Sequence, residues 1–188
     1  MIAVCLIAIL ATEVAWGGRA SLKSIVTKSA AAVACSASMC LSGVHAAPIE
    51  GKLMNAQPAD LEKIVAADIT ERQALITADF SRQIYSEDAT FKDEIDTYPI
   101  DKYVEGTKAL FVAEKSHVDL IGDVKADKDL ITFRFKEVLC FNIPVLQPKV
   151  SLSGYVELFR DSKDGLVTRS IEHWDQPVND VLKTAKFF

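Results

Sequence analysis

Four stretches in the C-terminal half of the chain alternate between apolar and polar residues. They span 116–127, 130–141, 150–162 and 165–175, and they are rich in β-branched and aromatic side chains. A period of two predicts β-strands, because successive side chains of a strand point to opposite faces of a sheet. The residues 161–165, Asp-Ser-Lys-Asp-Gly, favour a hairpin turn between the last two strands. The pattern therefore predicts an antiparallel meander.

The residues before the first of these strands have the spacing of amphipathic helices. From Pro58 to Ala78, apolar residues recur at helical intervals, although the capping-box spacing of Thr70 and Gln73 leaves open two helices that meet near Asp68. A second helix is expected after Pro99 and a short one after Pro177. Helices followed by a meander predict an α+β fold, in which helices fill the concavity of a curved antiparallel sheet and leave a conical pocket.

The first 46 residues have a different composition from the rest of the chain. An apolar run (1–11) precedes a segment with Arg, Lys, Ser and Thr but no acid (17–29), and a second apolar run (30–46) ends at Val44-His45-Ala46. This order is typical of a signal peptide, a transit peptide and a second signal. We therefore expect a cleavable targeting leader at 1–46, a linker at 47–57 and one domain at 58–188. The predicted location is the plastid, and within it the thylakoid lumen, with the secretory pathway as the alternative.

Cysteine and charge limit the classes of protein to consider. Three cysteines lie in the leader, so Cys140 alone would remain as a buried thiol without an intrachain disulfide partner. Residues 47–188 carry 18 basic and 25 acidic side chains, a balance that argues against a nucleic-acid ligand. No apolar run long enough to span a membrane follows residue 46, and the dispersed His117 and His173 do not have the spacing of a metal site. We expect neither a metal nor another cofactor.

Three segments of the domain resemble one known group of proteins. Residues 68–94, 101–111 and 165–175 resemble a family of uncharacterised proteins from plants, algae and cyanobacteria, within the nuclear transport factor 2-like (SnoaL-like) superfamily. The most specific elements are Arg72-Gln73, Ile84-Tyr85 with Phe91 and Asp93, Tyr103 with Leu110-Phe111, and Glu172-x-Trp174-Asp175. The chain departs from the family pattern at Ala74, Ala78 and Glu94, where an aromatic residue, Gly and Pro are expected. The resemblance implies a cone-shaped α+β barrel, and it assigns no activity.

Alternation along two of the strands predicts which side chains face the conical pocket. Phe135 and Glu137 share an apolar face of one strand, and Glu172 shares a face with Trp174 on the last strand. A carboxyl group in an apolar pocket has a raised pKa and becomes a usable acid or base near neutral pH. The candidate pocket residues are Tyr85, Asp93, Tyr103, Phe135, Glu137, Glu172 and Trp174.

A structural interpretation of Glu172 competes with this functional one. Glu172 could instead form an ion pair with Arg72 or Arg134 at the edge of the cone, since buried charges are usually paired. Three functions remain open from the sequence: binding of a small apolar ligand, proton transfer by an isomerase or dehydratase, and a protein-interaction role that includes homodimerisation. Because no acid–base constellation is recognisable in the sequence, binding or interaction is preferred over catalysis.

Overall fold

The computed structural model describes residues 51–187. The predicted targeting leader and its cysteines lie outside the described residues, as does the start of the predicted linker. Among the described helices, none combines the length and the apolar character that crossing a bilayer requires.

The first predicted helix is interrupted and forms two helices. Helix α1 spans Pro58–Thr70 and buries Leu61, Val65 and Ile69, and helix α2 spans Ala74–Thr77. The chain reverses at Gln73, whose φ of 56° lies in the left-handed region. The two-helix alternative is therefore correct, but the break follows Thr70 instead of lying at Asp68. The Thr70 hydroxyl donates a hydrogen bond to the Ala66 carbonyl, so it does not form a capping box.

Six strands form one curved, unclosed sheet in the order β2-β1-β6-β5-β4-β3. They are β1 (Tyr85–Lys92), β2 (Thr97–Pro99), β3 (His117–Ala126), β4 (Leu130–Cys140), β5 (Lys149–Arg160) and β6 (Val167–Trp174). Helix α3 (Ile100–Leu110) follows β2, and helix α4 (Val178–Lys183) follows β6. The expected α+β class and the antiparallel meander from β3 to β6 are confirmed.

The expectation of a wholly antiparallel sheet is wrong at one edge. Strand β1 pairs with β6 in parallel, with Phe91 opposite Ser170, and β2 then adds to β1 in antiparallel fashion. A long-range parallel pair leaves no turn signal in the sequence, because its two strands are joined by most of the domain. This edge matters for the site, since it brings the end of β1 beside the end of β6.

Alternation correctly predicts the two faces of the meander. On β4 the buried residues are Ile131, Phe133, Phe135, Glu137 and Leu139, and this face contributes to one core with the buried faces of α1 and α3. The other face is mostly polar: Arg134 forms an ion pair with Asp175 at 2.7 Å, and His173 stacks on Tyr155. Charged and polar groups thus occupy the outer surface, and the helices cover the inner one.

The segment before helix α1 is attached to the rest of the domain from Lys52 onward. Lys52 Nζ donates hydrogen bonds to the carbonyls of Arg82 and Tyr85 and forms an ion pair with Glu87. The buried Arg160 donates to the Ala56 carbonyl, to two carbonyls of the β3–β4 turn and to the Gly165 carbonyl. These bonds hold part of the predicted linker against β1 and the β5–β6 turn.

The three departures from the family pattern include one position with an unusual backbone conformation. Ala78 ends helix α2 with a φ of 53°, the left-handed conformation that Gly adopts without steric cost. Gly is the residue that the family pattern places here. The local turn is therefore formed with Ala78 in a conformation that Gly adopts more readily, and Ala78 is buried in the core with Ile76 and Phe80.

Replacing Gly154 by Ala is expected to destabilise the sheet. Gly154 lies on β5 opposite Trp174, and a Cβ atom there would stand 2.0 Å from the His173 carbonyl oxygen and 3.1 Å from the Phe135 ring. Because the nearest obstacle is backbone, β6 has to shift, at an expected cost of about 1–3 kcal/mol in the free energy of unfolding. Urea unfolding of the G154A variant tests this, with G106A as the control, since nothing lies within 4 Å of a Cβ at Gly106. Equal losses in the two variants would contradict it.

Candidate functional site: an acid pair in an apolar cavity

Two adjoining cavities lie between the helices and the inner face of the sheet. Their volumes are about 60 Å³ and about 30 Å³, and both are lined by Leu75, Asp93, Tyr103 and Glu172. The larger cavity is otherwise mostly apolar, and the further residues that line it are Ile95, Thr107, Phe111, Glu137, Leu139, Phe141, Val150, Leu152, Trp174 and Val181. Two glutamates therefore share a small space whose walls are mainly hydrocarbon.

Glu137 is an acid on the apolar face of β4. It is 4% exposed and pairs with Leu152 of β5. Burial raises the pKa of its carboxyl group well above 4.5, and the nearby Glu172 raises it further. Both effects favour the protonated, neutral form of Glu137.

Glu172 lies on β6, and its environment differs from that of Glu137. The Trp174 indole Nε1 donates a hydrogen bond of 2.6 Å to Glu172 Oε1. Burial raises the pKa of Glu172, the Trp174 bond opposes this rise, and the charges of Asp93 and Glu94 add to it, which gives a pKa of about 7. The residue keeps some accessible surface, but its carboxyl group lies in the cavity wall, where desolvation has the largest effect. Glu172 therefore changes its charge near neutral pH.

Tyr103 brings a hydroxyl group to the same cavity from helix α3. Its ring stacks on Phe91 with the centroids 4.2 Å apart, and its hydroxyl forms a hydrogen bond with Thr107. Burial raises the pKa of Tyr103 well above 10, and the charges of Glu172 and Glu137 add to this effect. Tyr103 thus remains a neutral hydrogen-bond donor close to both acids.

Tyr103 also separates the cavities from an outer groove. The groove has a volume of about 530 Å³ and follows helix α3 and strand β2, with Tyr98, Pro99, Gly106 and Leu110 among its lining residues. Tyr103 lines the groove and both cavities. Tyr103 and Thr107 both line the groove and the cavity that holds the acid pair.

Asp93 has a structural task at the mouth of the site. Its Oδ1 atom accepts hydrogen bonds of 2.8 Å from the backbone N–H groups of Ile95 and Asp96, which shape the turn between β1 and β2. Burial raises its pKa although these two bonds lower it. Asp93 contributes negative charge beside Glu172 while its hydrogen bonds fix the turn.

The other two predicted pocket residues have different surroundings. Tyr85 lines the smaller cavity within an aromatic cluster that includes Phe80 and Phe91, and burial raises the pKa of its hydroxyl. Phe135 is 1% exposed, packs near Gly154 and lies in the core away from the lining of the two cavities. The structure thus brings Asp93, Tyr103, Glu137, Glu172 and Trp174 together around the larger cavity.

The ion pairs proposed for Glu172 are not formed. Arg72 instead binds Asp68 and Ser81, and Arg134 binds Asp175 on the outer face. Glu172 instead accepts a hydrogen bond from the indole N–H group of Trp174. Thr107 also lines the larger cavity, although the pocket candidates did not include it; its i+4 spacing places it on the same helical face as Tyr103.

The histidines lie away from the cavity, as the alternation along the strands predicts. His117 is exposed and contacts Asp119 at 2.9 Å, and His173 contacts Glu157 at 3.1 Å on the outer face. Within residues 51–187, no three His, Cys, Asp or Glu side chains have an arrangement suited to a metal ion. Cys140 is fully buried.

Comparison with known proteins identifies no family for this chain. No family model matches it, and no curated protein does. Similar solved structures include AclR from Streptomyces galilaeus, assigned as a hydroxylase (18% identity, TM-score 0.48, 68% of this chain and 98% of that one). An LEH-like epoxide hydrolase from M. tuberculosis has 15% identity and a TM-score of 0.47, and the match covers 68% of this chain and 85% of that one.

A third similar structure is a nuclear transport factor 2-like protein from Anabaena variabilis. It has 16% identity and a TM-score of 0.43, and the match covers 65% of this chain and 95% of that one. At these values the matches carry no argument about family or activity. Membership of the nuclear transport factor 2-like superfamily therefore stays a prediction, and so does the plant, algal or cyanobacterial origin.

Proposed function

We propose that this domain is an acid–base enzyme that moves a proton on a small, neutral, mainly apolar substrate, as isomerases and dehydratases do. One observation supports this proposal above the others. Two glutamates with differently shifted pKa values, Glu137 and Glu172, line a single apolar cavity together with Tyr103. Pairs of carboxyl groups whose environments separate their pKa values are typical of acid–base sites.

The environments of the two acids assign their roles. Glu172 has a pKa of about 7 and an N–H donor from Trp174 that stabilises its ionised form, so it acts as the general base. Glu137 holds its proton and acts as the acid, with Tyr103 as a second donor. In the proposed reaction, Glu172 takes a proton from a carbon next to a carbonyl group, and Glu137 and Tyr103 stabilise the charge that develops on the carbonyl oxygen.

The cavity lining also supports a substrate class. A negatively charged substrate is disfavoured beside Glu172 and Asp93, and the apolar walls favour a hydrocarbon body. A cavity of about 150 Å³ accommodates benzene, so the observed cavity of about 60 Å³ has to enlarge before it admits a ring. We infer that the substrate enters from the outer groove when the Tyr103 ring moves aside.

The two other functions suggested by the sequence receive less support from this geometry. A site that only binds apolar ligands has no need of two buried acids, since desolvating a carboxyl group costs free energy. An interaction module of the expected kind requires an apolar outer sheet face, whereas this face carries Arg134, Glu157 and His173. The composition of residues 1–46 supports the plastid as the place where the proposed enzyme acts.

Solvent-proton exchange tests the proposal without knowledge of the natural substrate. The chain is incubated in D₂O with a panel of small neutral cyclic ketones and enones, and deuterium incorporation next to the carbonyl group is followed by NMR. We expect wild-type protein to accelerate exchange in at least one compound, with a rate that rises with pH up to about 7. No acceleration across the panel, or acceleration that the E137Q/E172Q variant retains, would contradict the proposal.

The stability of the E137Q variant relative to wild type is expected to increase as the pH rises. Because the pKa of Glu137 is higher in the folded protein than its ordinary value of 4.5, the folded state keeps a proton that the unfolded state loses. Wild-type stability from this group is thus complete below about pH 4.5 and is lost as the pH rises toward the folded pKa. Gln does not titrate, so the difference between E137Q and wild type should grow by on the order of 1 kcal/mol per pH unit above pH 4.5.

Urea unfolding of both proteins between pH 4 and pH 8, at roughly half-unit steps, measures this difference. E157Q is the matched control, because Glu157 is a glutamate of the adjacent strand that faces outward. A difference between E137Q and wild type that stays constant with pH would show that the Glu137 carboxyl group titrates normally.

A further inference from the structure

Half of the exposed large apolar side chains of the described residues lie at one end of the sheet. Among residues 51–187, the large apolar residues with substantial exposure are Leu53, Met54, Ile121, Val145, Leu146 and Phe187. Val145 and Leu146 form the tip of the loop between β4 and β5, and Val145 is 95% exposed. Phe187 follows Lys186, which pairs through its backbone with Lys149 directly after this loop. Three of the six therefore lie at the same end of the sheet.

The backbone of the loop holds Val145 in an unfavourable conformation. Its φ of 73° lies in the left-handed region, where a β-branched residue is strained, and Pro144 and Pro148 stiffen the chain on either side. The loop is anchored on both sides, because Asn142 donates hydrogen bonds to the Leu110 and Ala109 carbonyls and Cys140 Sγ contacts the Gln147 carbonyl. The fold thus presents an apolar tip on a fixed base.

The charges around the tip are mainly positive. Lys115 bonds the Gln147 side chain, and Lys108 lies in the last turn of α3, next to Ala109, whose carbonyl accepts a hydrogen bond from Asn142. Lys186 lies in the C-terminal segment. These three lysines are exposed, and none of them forms an ion pair with an acidic residue of the described chain. Glu114 is the acid next to Lys115, and Asp180 is occupied by Lys183. A local excess of positive charge thus surrounds the tip in a chain whose net charge is −5.

We propose that this end of the domain, defined by residues 142–148 with Lys108, Lys115, Lys186 and Phe187, docks on the surface of an anionic lipid bilayer. Peripheral membrane binding combines two elements. Apolar side chains enter the boundary between headgroups and acyl chains, and flanking lysines contact anionic headgroups. The remaining acidic surface is repelled by such a bilayer, so the contact is oriented. The acid pair lies on β4 and β6 outside this contact, and the outer groove shares only helix α3 with it.

Vesicle binding of the full chain tests the proposal. Wild type, V145D/L146D and the control I121D are mixed with vesicles of phosphatidylcholine alone or with phosphatidylglycerol. Because these proteins share residues 1–50, any binding by the leader is equal in all of them. We expect wild type and I121D to partition alike into the anionic vesicles and V145D/L146D to partition about tenfold less. The K108Q/K115Q variant should also partition about tenfold less into the anionic vesicles. Added salt should lower the partition of wild type toward the level of this variant.

Hydrogen exchange locates the contact, and a strain-relieving variant checks the fold. Anionic vesicles should slow amide exchange in residues 141–149 and 184–187 of wild type but not on β3. V145N should raise Tm, since Asn tolerates the left-handed conformation better than Val, and should still bind the vesicles more weakly. Equal partition of wild type and V145D/L146D, or unchanged exchange in 141–149, would overturn the proposal and favour a protein partner for the tip.

Discussion

Replacing Glu172 by Gln is expected to reduce the proposed proton transfer by about 10²–10⁴-fold, the usual contribution of a general base. Gln has nearly the same shape, and its amide oxygen can still accept the Trp174 N–H bond, so the cavity should keep its form. The loss should therefore appear in kcat and leave KM nearly unchanged. In wild type, kcat/KM should rise about tenfold per pH unit below pH 7 and level off above it, because only ionised Glu172 accepts a proton.

The E157Q variant is the control for this experiment. Glu157 lies on β5 and contacts the His173 ring on the outer face, so it resembles Glu172 in chemistry but not in position. Rates are measured by deuterium exchange into the best compound of the ketone panel. If E172Q stays within threefold of E157Q, or if its pH profile keeps the inflection near pH 7, then another group is the base.

Replacing Asp68 by Ala is expected to destabilise the fold by about 3–5 kcal/mol, the largest loss of stability among the substitutions considered. Asp68 is 3% exposed, and its carboxylate accepts hydrogen bonds from the Ser81 N–H and hydroxyl groups and from Arg72. The substitution leaves the Ser81 N–H group without its acceptor and the Arg72 guanidinium without its carboxylate partner. Because Asp68 fixes the chain after α2 against α1, we also expect the smaller cavity to lose its shape.

Asp180 provides the comparison for this prediction. It forms an ion pair of 2.6 Å with Lys183, but both side chains are well exposed, so D180A should cost no more than about 1 kcal/mol. Chemical unfolding monitored by Trp174 fluorescence gives both values. Similar losses for D68A and D180A would show that the buried carboxylate does not hold the two helices together.

The alternation of apolar and polar residues along the strands was sufficient to predict which face of the sheet carries Glu137 and Glu172. Alternation along β4 puts Glu137 among Phe133, Phe135 and Leu139, and alternation along β6 puts Glu172 and Trp174 on one face. These predictions succeed because the side-chain direction in a strand depends only on position parity. Phe135 shows the limit of the same rule, since a residue on the correct face can lie in the packed core instead of the cavity.

The partners of the charged residues could be found only in part. Asp68 and Arg72 have the i, i+4 spacing of a helical ion pair, a local signal that argues against Arg72 as a partner of Glu172. The ion pair between Arg134 and Asp175 joins β4 to the end of β6, which are not neighbours in the sheet. Such a contact depends on the curvature of the sheet, and no local pattern records that curvature.

The chemistry of the cavity required the three-dimensional structure. The sequence offers each acid separately, whereas the raised pKa of Glu137 depends on its distance from Glu172 and on the apolar walls between β4, β5 and α3. The parallel pairing of β1 with β6 also brings Asp93 and Glu94 beside Trp174 and Glu172. For this reason the sequence favoured binding over catalysis, and the geometry supports the opposite preference.

Titration of the glutamate carboxyl groups by ¹³C NMR tests the acid pair most directly. The chain is labelled at the glutamate side-chain carboxyl carbon, and E137Q and E172Q assign the two resonances. We expect one carboxyl group, Glu172, to titrate with a pKa of about 7, and the pKa of the other, Glu137, to lie well above 4.5. In E137Q the pKa of Glu172 should change, because the two groups share one cavity. If both carboxyl groups titrate near the ordinary value of 4.5 and independently of each other, then their pKa values are not shifted by the cavity. This result would contradict the proposed acid–base function.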